Sequence, residues 1–441
     1  MRTFKMGGIH PKENKLSAGI AAIKAHLPKH AIIPLAHYSG APSQPIVEKG
    51  DMVKVGQVIG KADGYVSANV HASVSGKVSK IENALDASGY RRPTVFIEVH
   101  GDEWLEEIDQ STDLKRECIL TPAEIIAKIS TAGIVGLGGA TFPAHVKLKI
   151  PEGKKADSLI INAVECEPYL TCDHRLMLEK GEEILVGVEI IMMALQVNKA
   201  FIGIENNKKD AIKHLTDLAK NYSGIKIVPL KVKYPQGSEK QLIESVIGRQ
   251  TPNGALPIDV GAVVQNVATV FAIYEAVQKN KPLIERIVTI TGKAMDETAN
   301  FWVRLGTPLA EVVEQAGGIP SGTGKIVGGG PMMGRALMNL QVPTAKGSAG
   351  VLFLKTEEAE RKTVKNCIRC SKCVNVCPMG LEPYLLMNQS ELFMWPEMEK
   401  NLVMACIECG SCSYVCPSNR PLLDHIRYGK ATVGGIIRNR K

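Results

Sequence analysis

Cys367-Ile-Arg-Cys370-Ser-Lys-Cys373-Val-Asn-Val-Cys377-Pro378 recurs with the same spacing as Cys406-Ile-Glu-Cys409-Gly-Ser-Cys412-Ser-Tyr-Val-Cys416-Pro417. Each half reads C-x2-C-x2-C-x3-C-P, so three thiols fall within seven residues and a fourth follows just before a proline. Three thiolates that close together suit three irons of one [4Fe–4S] cubane. Tetrahedral zinc usually takes two C-x2-C pairs set apart by a longer loop, which neither half supplies. The stretch predicts a small two-cluster domain that conducts single electrons, and the rest of the chain must hold what feeds or drains it.

The spacing resembles that of bacterial two-cluster ferredoxins, in which the fourth cysteine of each run ligates the other cluster. The resemblance implies that Cys367, Cys370, Cys373 and Cys416 hold one cluster, and that Cys406, Cys409, Cys412 and Cys377 hold the second. Eight of the eleven cysteines lie in this repeat, which speaks for a reducing compartment rather than a disulfide framework. The other three, Cys118, Cys166 and Cys172, read as small buried apolar residues.

A length of 441 residues suggests about three domains. With 45% hydrophobic and 22% charged residues the chain is ordinary globular material. Met1 to His10 has no apolar signal core, and no run reaches the ~18–20 residues needed to cross a bilayer. The nearest, Ile184 to Val197, is short and contains Glu189 and Gln196. The formal charge of +8 comes without a basic stripe interleaved with aromatics, so nucleic acid is not expected. An acidic partner, a dinucleotide or an anionic membrane surface accounts for it as well.

Residues 31 to 100 alternate short β-branched runs with glycine turns, the pattern of a small barrel or sandwich. The stretch resembles a biotinyl or lipoyl carrier domain, but its tip, Tyr65-Val-Ser67-Ala-Asn69-Val-His71, has no lysine to modify. The acidic segment 101 to 120 reads as a linker or exposed loop. Thr121, Pro122 and Glu124 then form a capping box at a helix start. Gly133-Ile-Val-Gly136-Leu-Gly138-Gly139-Ala-Thr-Phe142-Pro143 follows, where backbone amides can converge on an anion. It matches neither a Walker loop nor G-x-G-x-x-G, so a tight structural turn stays open.

Residues 157 to 162 read as a buried strand running into Glu165-Cys166-Glu167-Pro168, where open α/β sheets bind ligands. An acidic loop is the plain alternative. A helix from about Glu179, a strand at Lys199 to Glu205, a helix at Lys208 to Ala219 and a strand at Lys226 to Leu230 argue a parallel α/β core. Tyr234-Pro-Gln-Gly-Ser-Glu239 opens another helix. Gln265 and Asn266 end a further strand, suited to a flavin ring or ribityl chain and equally to capping a helix. Residues 285 to 355 return to short strands. Gly322-Thr-Gly324-Lys325 is not a P-loop, since Ile326 stands where a hydroxyl would hold magnesium. Lys355 to Lys365 reads as a charged linker, and the last fifteen residues, through Lys441, as a basic mobile tail.

In this order, Gly136-Leu-Gly-Gly-Ala-Thr-Phe-Pro143, Asn162-Ala-Val-Glu-Cys-Glu-Pro168, Tyr234-Pro-Gln-Gly-Ser-Glu239 and Gln265-Asn266-Val are similar to the flavin- and NADH-binding subunit of respiratory complex I. A soluble-ligand-binding β-grasp domain and iron–sulfur ligands follow there too, but that subunit has a single cluster domain and lacks the carrier-like N-terminus. The whole set, with Gly328-Gly-Gly-Pro-Met-Met-Gly334, resembles the RnfC family, which belongs to the Rnf complex, a membrane-bound ferredoxin:NAD+ oxidoreductase coupled to ion translocation.

The resemblance implies a multi-domain α/β chain. A carrier-like β barrel-sandwich would lie within residues 1–110, an α/β FMN/NADH-binding core within 120–280, the β-grasp domain within 285–355, and a two-cluster ferredoxin-like α domain within 360–425. It implies FMN phosphate on Gly136, Gly138, Gly139 and Lys147, and its ribityl and ring edge on Asn162, Glu165, Gln265 and Asn266. Phe142 would stack near the nicotinamide of NAD(H), with Glu167 and Glu239 close to the dinucleotide. No residue is assigned a catalytic role. The family's complex I relatives carry Arg where Leu137 stands, Gly where Thr141 stands, and Gly-Glu-Glu for Gly237-Ser238-Glu239. Implied partners are the other members of the membrane complex, including a ferredoxin-like cluster protein, at the cytoplasmic face of the cell membrane. NADH gives up electrons as a pair and a cluster accepts one, so a flavin must stand between them. Two further readings remain: a cluster-bearing docking scaffold without flavin, and the NADH-oxidising subunit of a soluble bifurcating enzyme.

Overall fold

Thr121 ends the acidic segment by capping a helix: its hydroxyl accepts from the Glu124 amide while the Glu124 carboxylate accepts from the Thr121 amide at 2.7 Å. A computed structural model describes residues 1–87 and 89–440 of the chain. Helix α1 (Pro122–Thr131) leads into four parallel strands, β1 (Ser158–Asn162), β2 (Ala200–Glu205), β3 (Ile225–Leu230) and β4 (Ala262–Asn266), in the order β3-β2-β1-β4. Side chains alternate between two cores, as a pleated strand requires. Leu159 and Ile161 of β1 face one core and Ile160 the other.

The first core is closed by α1, α2 (Cys172–Glu179), α3 (Gly181–Leu195), α4 (Lys209–Ala219) and α6 (Val267–Lys279), the second by α5 (Glu239–Ile247). The helix expected from about Glu179 is α3, and the shorter α2 precedes it, the two meeting at Lys180. Gly181 allows α4 to pack there, since a Cβ would stand 2.7 Å from His214 Nε2. Helix α3 is apolar around most of its circumference because helices and sheet enclose it.

Two antiparallel sheets form the N-terminal barrel-sandwich. Strands His30–Pro34, Arg91–Val99, Gly76–Leu85 and Met52–Val53 make one, and Gln44–Pro45, Val58–Lys61 and Val70–His71 the other. Ile33, Ile59, Val78, Val95 and Ile97 fill the space between them. The lysine-free tip is built into the central unit: Asn69 Nδ2 donates to the Thr131 carbonyl, and the Asn69 carbonyl accepts from the fully buried Lys346. The segment 101–120, expected as a linker or exposed loop, is irregular and mostly exposed, with Ile108 buried and Leu114, Cys118 and Leu120 against the main core.

A six-stranded sheet contains Glu285–Thr291, Ala299–Arg304, Thr323–Gly328, Arg335–Ala336 and Gly350–Lys355, and borrows Ala22–Lys24 from the N-terminal stretch as its edge. Short helices carry the cysteine repeat, and α7 (Leu422–Asn439) follows. Leu422, Ile426 and Val433 of α7 are buried in the core of this domain, and Gly429 lies where a Cβ would meet Met398 Cε at 2.4 Å. The C-terminal stretch expected to be a mobile tail is thus a packed helix through Asn439. Lys441 lies outside the described residues.

Candidate functional site

Strand β1 runs on through α2 and α3 to β2 at one side of the sheet, while β4 returns to its other side. The switch point therefore lies between β1 and β4, where such sheets bind ligands. Asn162 and Asn266, the last residues of these two strands, pair in register. Asn162 Nδ2 donates to the Gly237 carbonyl at 2.7 Å. Asn266 Oδ1 caps α6, and its Nδ2 donates to Asp173 at 2.7 Å. Gln265 is buried, and its Nε2 has no acceptor among the described residues.

The glycine loop lies against this point, because a Cβ on Gly138 would come within 3.2 Å of Asn266 Cβ. Leu137 points into the core, its amide donating to Thr269 Oγ1 at 2.8 Å. Gly136 donates to the Phe142 carbonyl across the loop at 2.8 Å. The carbonyls of Ala140 and Thr141 accept from the hydroxyl and amide of Ser39 at 2.6 and 3.1 Å. The amide N–H groups of Gly138, Gly139, Ala140 and Thr141 have no acceptor among the described residues. Consecutive exposed amides, with the Ala140 and Thr141 carbonyls held back by Ser39, can converge on an anion as a nest. Phe142 is half-buried beside it. Lys147 donates to Glu239, the first residue of α5, at 2.6 Å.

Two expected members stand apart. Glu165, in a left-handed conformation, accepts from the Asp173 and His174 amides at 2.7 and 3.3 Å and so anchors the start of α2 rather than facing outward. Its carboxylate, Cys172 Sγ and a carboxylate oxygen of Asp173 lie within 4.8 Å of one another. Burial and the neighbouring Glu165 push the Asp173 carboxyl up to about 7. Glu167 turns toward the six-stranded sheet: it accepts from the Met332 and Met333 amides at 3.1 and 2.8 Å, and burial pushes it up to about 7. Sequence reasoning missed Ser39, Asp173 and Lys15. Lys15 donates to the carbonyls of Glu165, Glu167 and Leu170 at 2.6–2.9 Å. Only Asp173 had a local signal, its place directly after the acidic strand end.

The cysteine halves repeat one backbone trace. Arg369 and Glu408 are left-handed at the same position, as are Ser371 and Gly410. Burial raises the pKa of Cys373, Cys406, Cys409 and Cys412, and neighbouring thiols add to it in two groups, Cys416 acting on Cys373, and Cys377 on Cys406, Cys409 and Cys412. Burial is the larger cause, and it takes Cys406 up to about 11 and Cys412 up to about 12. Around one zinc ion, thiolates 2.3 Å from the metal stand about 3.8 Å apart. No three of these thiols lie within 4.8 Å of one another among the described residues, which suits a cubane better than a single ion. Amides also approach sulfur, Leu381 to Cys377 at 3.3 Å and Glu408 to Cys406 at 3.4 Å.

The second group abuts the switch point. Asn162 holds the Gly237 carbonyl, and the Gly237 amide donates to Cys166 Sγ at 3.4 Å. Cys166 packs with buried Tyr234, whose hydroxyl donates to the Cys409 carbonyl at 2.8 Å. Gln241 of α5 donates to the Pro378 carbonyl, and the N-terminal stretch clasps both sides through Gly8 on Val376 and Ile9 on Tyr234.

Models of four families match the chain: the RnfC barrel sandwich hybrid domain over residues 3–102, the Nuo51 FMN-binding domain over 129–275, the SLBB domain over 287–336 and the 4Fe-4S dicluster domain over 359–417. Among curated relatives, a subunit of the proton-translocating ferredoxin:NAD(+) oxidoreductase complex of Clostridium ljungdahlii is 45% identical over 89% of this chain and 86% of its own. The counterpart from the Na(+)-translocating complex of Acetobacterium woodii is 46% identical over 98% of this chain and 97% of its own. The counterpart from the ion-translocating oxidoreductase complex of Rhodobacter capsulatus is 43% identical over 86% and 73%. A crystal structure of an NAD+-reducing [NiFe]-hydrogenase in the H2-reduced state shares the fold, with a TM-score of 0.52 at 19% identity over 71% of this chain and 63% of that one.

Proposed function

The chain belongs to the RnfC family of the Rnf complex, and on that premise we propose that it exchanges hydride with NAD(H) through FMN held at the β1–β4 switch point and passes single electrons through two [4Fe–4S] clusters. The observation that carries this reading is the free-amide nest set against the unpartnered Gln265 donor and Asn266. The exposed amides of the glycine loop can receive a phosphate, and Lys147, held on Glu239, would supply a cation to it. Gln265 offers its unpartnered Nε2 to a ring or ribityl chain, Asn162 and Asn266 fix the strand ends beside it, and Phe142 and Glu239 would flank a dinucleotide. Bound there, FMN supplies the conversion between a paired hydride and single electrons. The chain's own residues do the rest. Ser39 keeps the nest's carbonyls turned away, Asn162 ties the strand end to Gly237, and Glu165 holds α2 so that Asp173 can fix Asn266.

Cys377, Cys406, Cys409 and Cys412 would hold the cluster next to the flavin, and Cys367, Cys370, Cys373 and Cys416 the second. Iron takes thiolate, so cluster binding offsets the burial that opposes ionisation of Cys406 and Cys412. The chain works as a peripheral member of the complex at the cytoplasmic face of the cell membrane, exchanging electrons with membrane partners, a ferredoxin-like cluster protein among them, in support of ion translocation. No helix among the described residues is long and apolar enough to cross a membrane, which suits attachment through partners. The test is an anaerobic preparation assayed for iron, acid-extracted flavin and visible absorbance before and after NADH. About eight irons and one FMN per chain, with both chromophores bleached by NADH, are expected. Intact clusters with no flavin and no response to NADH would refute the reading.

A further inference from the structure

The two cysteine loops share a backbone trace and differ in what covers them. In the second loop Ile407 packs beside Tyr234, Glu408 is neutralised by Arg427 and Lys430 at 3.1 and 3.0 Å, and Gly410 lies against the Met332 carbonyl. In the first loop the same positions are Ile368, Arg369 and Ser371, and every residue from Arg361 to Lys372 is exposed, Cys367 and Cys370 included. Cys409 is 8% exposed, whereas Ile368 beside Cys367 is 67% exposed. One loop therefore faces the flavin core and the other faces solvent.

The outward loop has a sign. Between the last acid before it, Glu360, and Cys373 stand Arg361, Lys362, Lys365, Arg369 and Lys372, with no carboxylate. Arg361 is paired with Asp424 at 3.0 Å. Lys362, Lys365, Arg369 and Lys372 have no ion-pair partner among the described residues. Exposed Val364 and Ile368 alternate with these cations along the segment. Redox partners that must dock and leave use small interfaces, and charge complementarity supplies their encounter rate and orientation.

The geometry points to the face formed by Lys362, Val364, Lys365, Ile368, Arg369 and Lys372 as the docking surface for an acidic one-electron redox protein, with the Cys367/Cys370/Cys373/Cys416 cluster as its electron port. This rests on the function proposed above. A bilayer could meet the same cations, but it takes no electrons from the exposed cluster, so a protein partner is the occupant.

The test uses the full chain, purified anaerobically, with a small acidic two-cluster bacterial ferredoxin in its oxidised form as probe and phosphatidylglycerol vesicles as a second probe. Binding is read by fluorescence anisotropy at low and physiological ionic strength, with no turnover. We expect ferredoxin affinity to fall steeply with salt, and Lys362→Glu with Lys365→Glu to weaken it by about tenfold or more. Lys199→Glu with Lys213→Glu, a reversal of equal charge on the central unit, should leave it intact. NADH should still bleach the flavin of the Lys362/Lys365 variant, and failure of bleaching in the wild type would instead refute the flavin reading. Equal binding by both double variants, no ferredoxin binding by the wild type, or loss of vesicle binding alone would each overturn the docking face.

Discussion

Tyr234→Phe removes one oxygen from the junction between the flavin core and the buried cysteine loop while leaving the ring in place. The hydroxyl donates to the Cys409 carbonyl at 2.8 Å, and that carbonyl has no other donor among the described residues. Tyr234 and Cys409 are both buried, so the carbonyl cannot turn to water. Leaving a buried acceptor unmade costs about 1–3 kcal/mol. At 1.4 kcal/mol per tenfold, local opening of the 406–416 loop should become roughly 5- to 150-fold more frequent. Amide hydrogen exchange reads this directly, since the loop opens in a sub-global step distinct from unfolding of the barrel or the parallel sheet. The same variant should slow cluster bleaching after rapid mixing with NADH, with flavin content unchanged. Protection of residues 406–416 equal to wild type, together with an unchanged bleaching rate, would refute the assignment of Tyr234 as the contact that seats this loop.

Lys147→Met should lower FMN retention on gel filtration by about 10- to 100-fold in affinity, the loss of a charge-assisted bond, and Ser39→Ala should lower it less by freeing the loop carbonyls. Cys377→Ala and Cys416→Ala should each reduce iron to about four per chain. Only Cys416→Ala should keep a cluster that NADH bleaches, so equal bleaching in both variants would contradict the crossed pairing. Lys346, buried where the barrel tip meets the core, is pushed down to about 7 by desolvation, so the unfolded chain binds the extra proton between about 7 and 10.5. Stability should therefore rise with pH across that window. Buried His37 and His71 face Lys346; burial and its charge lower both, His71 to about 3, so stability should also fall as pH drops from about 6.5 toward 3. Thermal unfolding against pH reads both arms, and Lys346→Met should flatten the alkaline one.

What could be read in the sequence was local. The capping box at Thr121 and Glu124 spans three residues, the strand–helix alternation from Ser158 to Asn266 follows periodicity, and the cysteine repeat carries its own spacing. What could not be read was pairing across the chain. Glu165 and Glu167 look alike in sequence, two carboxylates past a strand end, yet one caps α2 eight residues on and the other reaches Met332 and Met333 in a turn between strands of the six-stranded sheet. Gln265 and Asn266 pose the same ambiguity. Asn266 is spent on the cap and Asp173, while the Gln265 amide is left without a partner, a difference that only the packing of α6 decides. The last fifteen residues read as a tail because their basic residues outweigh Val433, which turns out to be buried.

The cysteine repeat shows how an internally symmetric motif acquires direction. A C-x2-C-x2-C-x3-C-P run is indifferent to which end of a wire it serves, and the backbones of the two loops repeat each other in their left-handed residues. The difference lies outside the motif. Tyr234, Met332 and Ile9 cover the loop bearing Glu408, whose charge is met by Arg427 and Lys430, and they leave the loop bearing Arg369 and Lys372 bare and cationic. Neutralising one loop and leaving the other charged makes the inner face permanent and the outer face exchangeable. Charge reversal at Lys362 and Lys365 should therefore change partner affinity and its salt dependence, whereas Tyr234→Phe should change electron entry and leave partner affinity alone. Finding both effects in either variant would mean that the two loops are not separate ends.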